Sequence, residues 1–501
     1  MILKSRGTSG VLARFCPEDG WAPLNSRHTF NISGKIGTRE VGFPAPMNTS
    51  FFGEMLNSIT ERGRALLDRT RDRRGDAAAR SESLADLCEE LLSGRGEASG
   101  VVLAEEILAK YAELTIGPRI AFFEALANRF GPDREKLEAA IAAWQAAQSD
   151  KTAAQIHAAA EARRQELLRR LNLAPGGTAV LVHMREQLLD ALDHREDLKA
   201  VDDDFVHLFS SWFNRGFLVL RRIDWSTPAM ILEKIIRYEA VHRIRSWEDL
   251  RRRIDPPDRR CYAFFHPALL DEPLIFVEIA LSREIPDAIA PILSVQRDGV
   301  RPDKVTTATF YSISNCQRGL AGVSFGNFLI KQVVQEISRE NPRLKTFVTL
   351  SPAPDFARWL DRERKAESSQ ALTPEDRAAL EGLDRQGWWQ LPQARKPMQE
   401  ALLRAAAYYY VRAKNRRGLP QDAVARFHLG NGARLERLNW LADGSDNGIT
   451  QSHGLMVNYL YDLDDIEKNH EAYAEGRRVV ASSAVRRLLR GAAADLVPGA
   501  G

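Results

Sequence analysis

The sequence predicts an α+β protein, an all-helical bundle followed by a domain of mixed sheet and helix, and two observations carry that prediction. From residue 47 to about 200, Ala- and Leu-rich segments repeat apolar residues at helical spacing between Gly/Pro or Ser/Asp breaks. Beyond "DDDF", residues 202–205, short runs rich in Val, Ile, Phe, Tyr and Thr alternate with amphipathic stretches. At 501 residues the chain is long enough for two or three domains and a sizeable core.

Residues 1–46 mix Gly, Pro, Ser and charge without period. They lack the apolar stretch of a secretory signal, and Glu18, Asp19 and Glu40 argue against a transit peptide, so a disordered or upstream extension is expected. The helical domain is placed at 47–204. It opens on "MNTSFFGEMLNSITERGRALLDRTRDR", where Phe52, Met55, Leu56, Ile59 and Leu66 share a helical stripe behind the capping candidate Ser50. Helices follow over "SLADLCEELL", "IAFFEALANRF", "KLEAAIAAWQAA", "AQIHAAAEARRQELLRRL" and "VLVHMREQLLDALDHRE". The second domain is placed at 205–490, ahead of a flexible tail at 491–501. Its strands are expected at "GFLVLRRIDW", "CYAFFHP", "PLIFVEIAL", "TTATFYSISN" and "KTFVTLSP", with helices at "PAMILEKIIRYEAVHRI" and "FGNFLIKQVVQEISRE". Residues 356–415 read as mainly helical, with Thr373 as cap, Pro374 at the first helical position and Asp376 as the capping-box acid. The sheet is expected to resume at "ARFHLGNGARLERLNW".

Composition removes several function classes. Seventy basic against 67 acidic residues, net +3, supply no global attraction to nucleic acid or anionic membrane, and mixed-sign clusters such as "DRTRDRR" read as solvated faces. No apolar run approaches the roughly 20 residues that a membrane helix requires. Cys16, Cys88, Cys261 and Cys316 show neither metal-ligand nor redox spacing, and the ten histidines contain no HExxH, so no metal is expected and a reducing cytoplasm fits best.

Three stretches carry chemistry. "FYSISNCQRGLAGVSFGNFLIKQV", residues 310–333, runs from a strand through Gly319, Gly322 and Gly326 into a helix, a backbone that offers unpaired N–H groups to phosphate. A tight loop with no ligand is the alternative. The loop is neither GxxxxGK[ST] nor GxGxxG. "GVSFG" does satisfy GxSxG with Ser324 as nucleophile, but seven residues separate it from its strand, where a nucleophile elbow follows immediately. "FVTLSPAPDF", residues 347–356, pins Ser351 before Pro352 and Pro354, a stiff strand exit. In "ARFHLGNGARL", His428 alternates with apolar neighbours, as a strand residue would, and a lone histidine there is either structural or catalytic; His242 and His266 are the runners-up.

These stretches, together with "HLFSSWFNRGFLVL", "YEAVHRIRSWEDLRRR", "RRCYAFFHP", "FHLGNGARLERLNWLADGS" and "HGLMVNYLY", resemble in order and spacing the malonyl-CoA decarboxylase family, strongly over 205–461 and more loosely from Met47. The resemblance implies a catalytic domain with the fold of the acetyl-CoA-dependent N-acetyltransferases (GNAT-type). It also implies a helical domain for homo-oligomer contacts, with a homotetramer favoured. The implied reaction turns malonyl-CoA into acetyl-CoA and CO2 without metal, biotin or other prosthetic group, coenzyme A being part of the substrate. By the same likeness Ser351 and His428 are the catalytic pair, Ala321, Gly322, Val323, Ser324, Phe325, Gly326 and Asn327 hold the coenzyme A phosphates, and Asn431 and Tyr461 line the acyl group. The chain departs from the family pattern in having Ser324 where an acidic residue stands and Asp355 where glycine stands. Another acyl-CoA enzyme on this scaffold, an acyltransferase or thioester hydrolase, and a non-enzymatic helical interaction protein are the rival readings.

Overall fold

The computed structural model describes residues 83–489 apart from 94–95, 297–298, 324–328 and 392–394. The helix expected from Met47, the extension 1–46 and the tail 491–501 lie outside the described residues. The helical region contains α1 (Leu84–Leu92), α2 (Glu97–Ala112), α3 (Ile116–Asn128), α4 (Arg134–Ala146), α5 (Asp150–Ala160), α6 (Arg163–Leu171), α7 (Gly177–Leu192) and α8 (Lys199–Trp212). Helix α2 was not among the expected elements. The segment "AQIHAAAEARRQELLRRL", expected as one helix, is broken between α5 and α6. The amides of Arg163 and Arg164 bond the carbonyls of Gly131 and Phe130 at 3.2 and 2.8 Å, so tertiary contacts satisfy donors that a continuous helix would have used.

Helix α8 runs through the expected change of texture at 204/205, and the first strand, β1 (Val219–Ile223), begins beyond it. There follow α9 (Ala229–Tyr238), α10 (Trp247–Ile254), β2 (Arg259–Phe265), β3 (Pro273–Ser282), α11 (Ala290–Leu293), β4 (Thr307–Asn315), α12 (Leu329–Glu340), β5 (Thr346–Thr349) and β6 (Ser351–Pro352). The helical insertion comprises α13 (Phe356–Lys365), α14 (Pro374–Leu380) and α15 (Arg395–Val411). In α14 the expected capping box forms, with Thr373 and Asp376 each accepting the other's backbone N–H. The chain closes with α16 (Ala423–Gly430), β7 (Arg434–Asn439), α17 (Asp446–Ser452), β8 (Met456–Leu460), α18 (Ile466–Ala474) and α19 (Ser483–Leu488).

The strands form one mixed sheet in the order β1-β2-β3-β4-β5-β8-β6, with β7 pairing β8. Strands β1 to β4 are an antiparallel meander, whereas β4 and β5 run parallel from Thr307↔Thr346 to Phe310↔Thr349. Two irregularities then open the sheet. The β3–β4 register jumps from Glu278↔Ser312 to Ile279↔Phe310, so Tyr311 is the extra residue of a bulge. After the amide of Leu350 bonds the Phe310 carbonyl at 2.9 Å, β4 stays with β3 while β6 turns to pair with β8 through Ser351↔Val457. Two parallel strands that separate midway leave a cleft, the acetyltransferase-like arrangement that the resemblance implied. Pro352, with no N–H to give, stands where a ladder partner has gone.

Candidate active site

Residues Thr349 and Ser351, two apart on extended backbone, point to one side, and Leu350 between them packs into an apolar cluster with Tyr311 and Met456. The Ser351 hydroxyl donates to Thr349 Oγ1 at 2.9 Å, and Thr349 Oγ1 also accepts the backbone N–H of Tyr459 at 3.2 Å. His428 comes from the other wall of the cleft. Its expected place in a strand is corrected: the segment "AVARFHLG" is helix α16. The alternation of apolar residues was outweighed by end signals, the N-cap Asp422, whose carboxylate accepts the Ala425 N–H at 2.7 Å, and Gly432 at φ +81° beyond the C-cap. A side chain at Gly432 would collide with the Ile466 carbonyl oxygen, so no other residue fits that turn.

Helix α16 brings His428 Nε2 to 3.1 Å from Ser351 Oγ, although 77 residues separate the two in sequence. On the far side of the ring, Nδ1 lies 2.8 Å from the Tyr461 hydroxyl, and the ring stacks on Tyr459 at 4.5 Å between centroids. The donors order themselves. With the Ser351 proton committed to Thr349, His428 donates its Nε2–H to Ser351 Oγ, and Tyr461 donates its O–H to Nδ1. Burial pushes the imidazole down to about 3, so at neutral pH the ring is uncharged. Burial drives the Tyr461 phenol well above its ordinary value, so it keeps its proton.

Ser351 and His428 open onto a cavity of about 260 Å³ between the splayed strands. Its wall is otherwise mainly apolar, with Val241, Phe310, Ile313, Val424 and Phe427, and Asn315 supplies an amide. Asn315 and Phe427 also border a neighbouring cavity of about 290 Å³, lined by Arg318, Ala321, Gly322, Val323 and Arg426. The two cavities therefore adjoin, the glycine loop beside one and the Ser–His pair beside the other.

Of the residues implied by resemblance, Ser351, His428 and Tyr461 are brought together, with Tyr461 behind the imidazole. Ala321, Gly322 and Val323 line the loop cavity, whereas Ser324, Phe325, Gly326 and Asn327 lie outside the described residues. Asn431 caps α16, donates its side-chain amide to the Phe427 carbonyl at 2.7 Å, and lines the loop cavity. Asp355, in the place of the family glycine, has φ −104° and ψ −1°, a conformation that needs no glycine. His242 lines a separate cavity beyond Pro352, and His266 packs on Phe213; neither touches Ser351. Sequence reasoning missed Thr349, Tyr459 and Asp422. The first two carried a usable signal, since Thr349 is two residues from Ser351 and Tyr459 two from Tyr461 on extended chain. Among the described residues no group of three His, Cys, Asp or Glu side chains is placed to hold a metal, and no helix is long and apolar enough to cross a membrane.

Comparison with known proteins identifies the family. The family description "Malonyl-CoA decarboxylase C-terminal domain" matches residues 216–497, and "Malonyl-CoA decarboxylase N-terminal domain" matches residues 130–213. The mitochondrial malonyl-CoA decarboxylase of Anser anser anser is 35% identical over 421 residues, covering 76% of this chain and 82% of the relative. That of Rattus norvegicus is 35% identical over 404 residues, covering 73% and 80%. The crystal structure of malonyl-CoA decarboxylase from Rhodopseudomonas palustris is 59% identical, with a TM-score of 0.78, covering 81% of this chain and 98% of that one. The Agrobacterium vitis structure is 56% identical at the same TM-score, covering 81% and 99%. With its fold and both domain descriptions in agreement, the chain belongs to the malonyl-CoA decarboxylase family.

Proposed function

We propose that this chain decarboxylates malonyl-CoA, with Ser351 and His428 as the residues that move the proton. The observation that carries the reading is the 3.1 Å approach of His428 Nε2 to Ser351 Oγ in an apolar cleft beside the glycine loop. The nucleotide end of the substrate rests against the loop that begins Ala321–Val323, and the thioester reaches between β4 and β6. An apolar wall favours neutral CO2 over the carboxylate from which it comes. When the bond from C2 to the carboxyl carbon breaks, its electron pair spreads onto the thioester oxygen. The Asn315 amide is the donor available to that oxygen, and a donor so placed is worth about 3 kcal/mol.

Ser351 then gives its hydroxyl proton to C2, and His428 replaces it from Nε2–H. As Nε2–H leaves, solvent in the cleft returns a proton to Nε2, while Tyr461 keeps its own O–H on Nδ1, so the starting tautomer is restored. An imidazolium is not the donor, because the buried ring is uncharged at neutral pH. This scheme uses no metal or prosthetic group, coenzyme A being part of the substrate. A homotetramer built through the helical region is supported by Ile116 and Leu173, apolar and exposed there, and light scattering on the full chain tests it. A cytoplasmic place and a role in fatty acid metabolism complete the proposal; cell fractionation checks the former.

Chromatography of malonyl-CoA incubations tests the activity. Acetyl-CoA with equimolar CO2 is the expected result. Free coenzyme A would mean thioester hydrolysis instead, and product formed only with an added amine would mean acyl transfer.

A further inference from the structure

The glycine loop is held from outside its own domain. Its first turn, Arg318–Leu320, lies against helix α7 of the helical region through three separate contacts. The guanidinium of Arg185, only 2% exposed, donates from one Nη to the Gly319 carbonyl at 2.7 Å and from Nε to Asp202 Oδ1 at 2.8 Å. Lys199 completes the pair by donating to Asp202 Oδ2 at 2.7 Å. Arg318 forms an ion pair with Asp190, one turn further along α7. The backbone of Gly319 approaches so closely that a Cβ there would come within 1.9 Å of the Val182 carbonyl oxygen. A buried cation is an expensive way to fix a turn, since removing it from water is unfavourable unless charge and hydrogen bonds compensate. Here its two bonds join a carboxylate of α8 to the carbonyl of a loop whose next residues, Leu320, Ala321, Gly322 and Val323, line the cavity.

We propose that Arg185 is a positioning residue for coenzyme A recognition: from the helical region, it sets the height of the Gly319 peptide and thereby the course of the Ala321–Val323 backbone. The helical region is then part of the substrate site and not solely a surface for subunit contacts. This inference rests on the reading of the loop as the coenzyme A site. It concerns binding rather than chemistry, because Arg185 contacts neither Ser351 nor His428.

Arg185→Lys keeps the charge beside Asp202 but loses the planar fork whose Nε and Nη span the two acceptors. In the full-length protein, the expected result is a rise of about tenfold or more in the KM for malonyl-CoA and in the calorimetric Kd for acetyl-CoA, with kcat within about twofold. Malonyl-pantetheine, which lacks the nucleotide, discriminates between positioning and general damage: its turnover should be unchanged by the substitution. Unaltered acetyl-CoA affinity, or equal losses on both substrates, would overturn the proposal. Should that variant not fold, Gly319→Ala is put through the same measurements, since it displaces the loop from Val182 without touching the Arg185–Asp202 pair. Wild-type protein that binds no acetyl-CoA would instead sink the reading of the loop itself.

Discussion

Tyr461 holds His428 in the tautomer that the Ser351–Thr349 bond selects. Its hydroxyl is the hydrogen-bond partner of Nδ1, and a ring nitrogen buried without a partner costs about 1 to 3 kcal/mol. Tyr461→Phe should therefore lower kcat by about tenfold to a hundredfold while KM for malonyl-CoA stays within about threefold, as steady-state kinetics will show. Ser351 and His428 were legible as residues because long motifs carried them, one at a proline-stiffened strand exit and the other before a glycine turn. Thr349 was hidden because a threonine in a strand is ordinary. Only the fold shows that its oxygen accepts from Ser351 and so commits the serine proton.

At the scale of the element, the short helix α16 holds the imagined strand residue His428 in place, and its N-cap is buried. Asp422 accepts from Ala425 and from the Tyr409 hydroxyl, and burial pushes its carboxyl up to about 6. Asp422→Ala removes the cap and should lower stability by about 1 to 2 kcal/mol in denaturant titrations, with a matching loss of activity. Asp422→Asn keeps an acceptor and should retain most of both. Helix α16 was misread for a physical reason: eight residues are too few to display a helical period, and a pattern that alternates over four or five positions satisfies a strand equally well. The longer elements were legible. Strands β2, β3 and β4 fall close to their predicted runs, because strands buried on both faces are dense in apolar, aromatic and β-branched residues. Contacts distant in sequence were not: the break between α5 and α6 depends on the carbonyls of Phe130 and Gly131, far earlier in the chain.

For the whole molecule, acid is the condition to which the fold should be most sensitive. Burial lowers four histidines, His266 among them, and takes three furthest, His242 and His453 to about 4 and His428 to about 3, against 6.5 when exposed. Between pH 6.5 and about 4 the unfolded chain binds the protons that these rings refuse, so their contribution is present above 6.5 and is lost as pH falls. Each is worth at most about 1.4 kcal/mol per pH unit over that window. His453→Asn, which suits the positive φ of 52° at that position, should flatten the fall of Tm on acidification; an unchanged slope would refute the assignment. The order of helical region and mixed sheet was legible from texture, but the grip of α7 on the glycine loop was not, because Arg185 and Gly319 are 134 residues apart. Turnover depends on the proton passed by Ser351. The most direct test of that dependence is the kcat of Ser351→Ala on malonyl-CoA, with folding verified by the melting curve. A fall of about a hundredfold or more at near-normal KM is predicted, and a wild-type rate would contradict it.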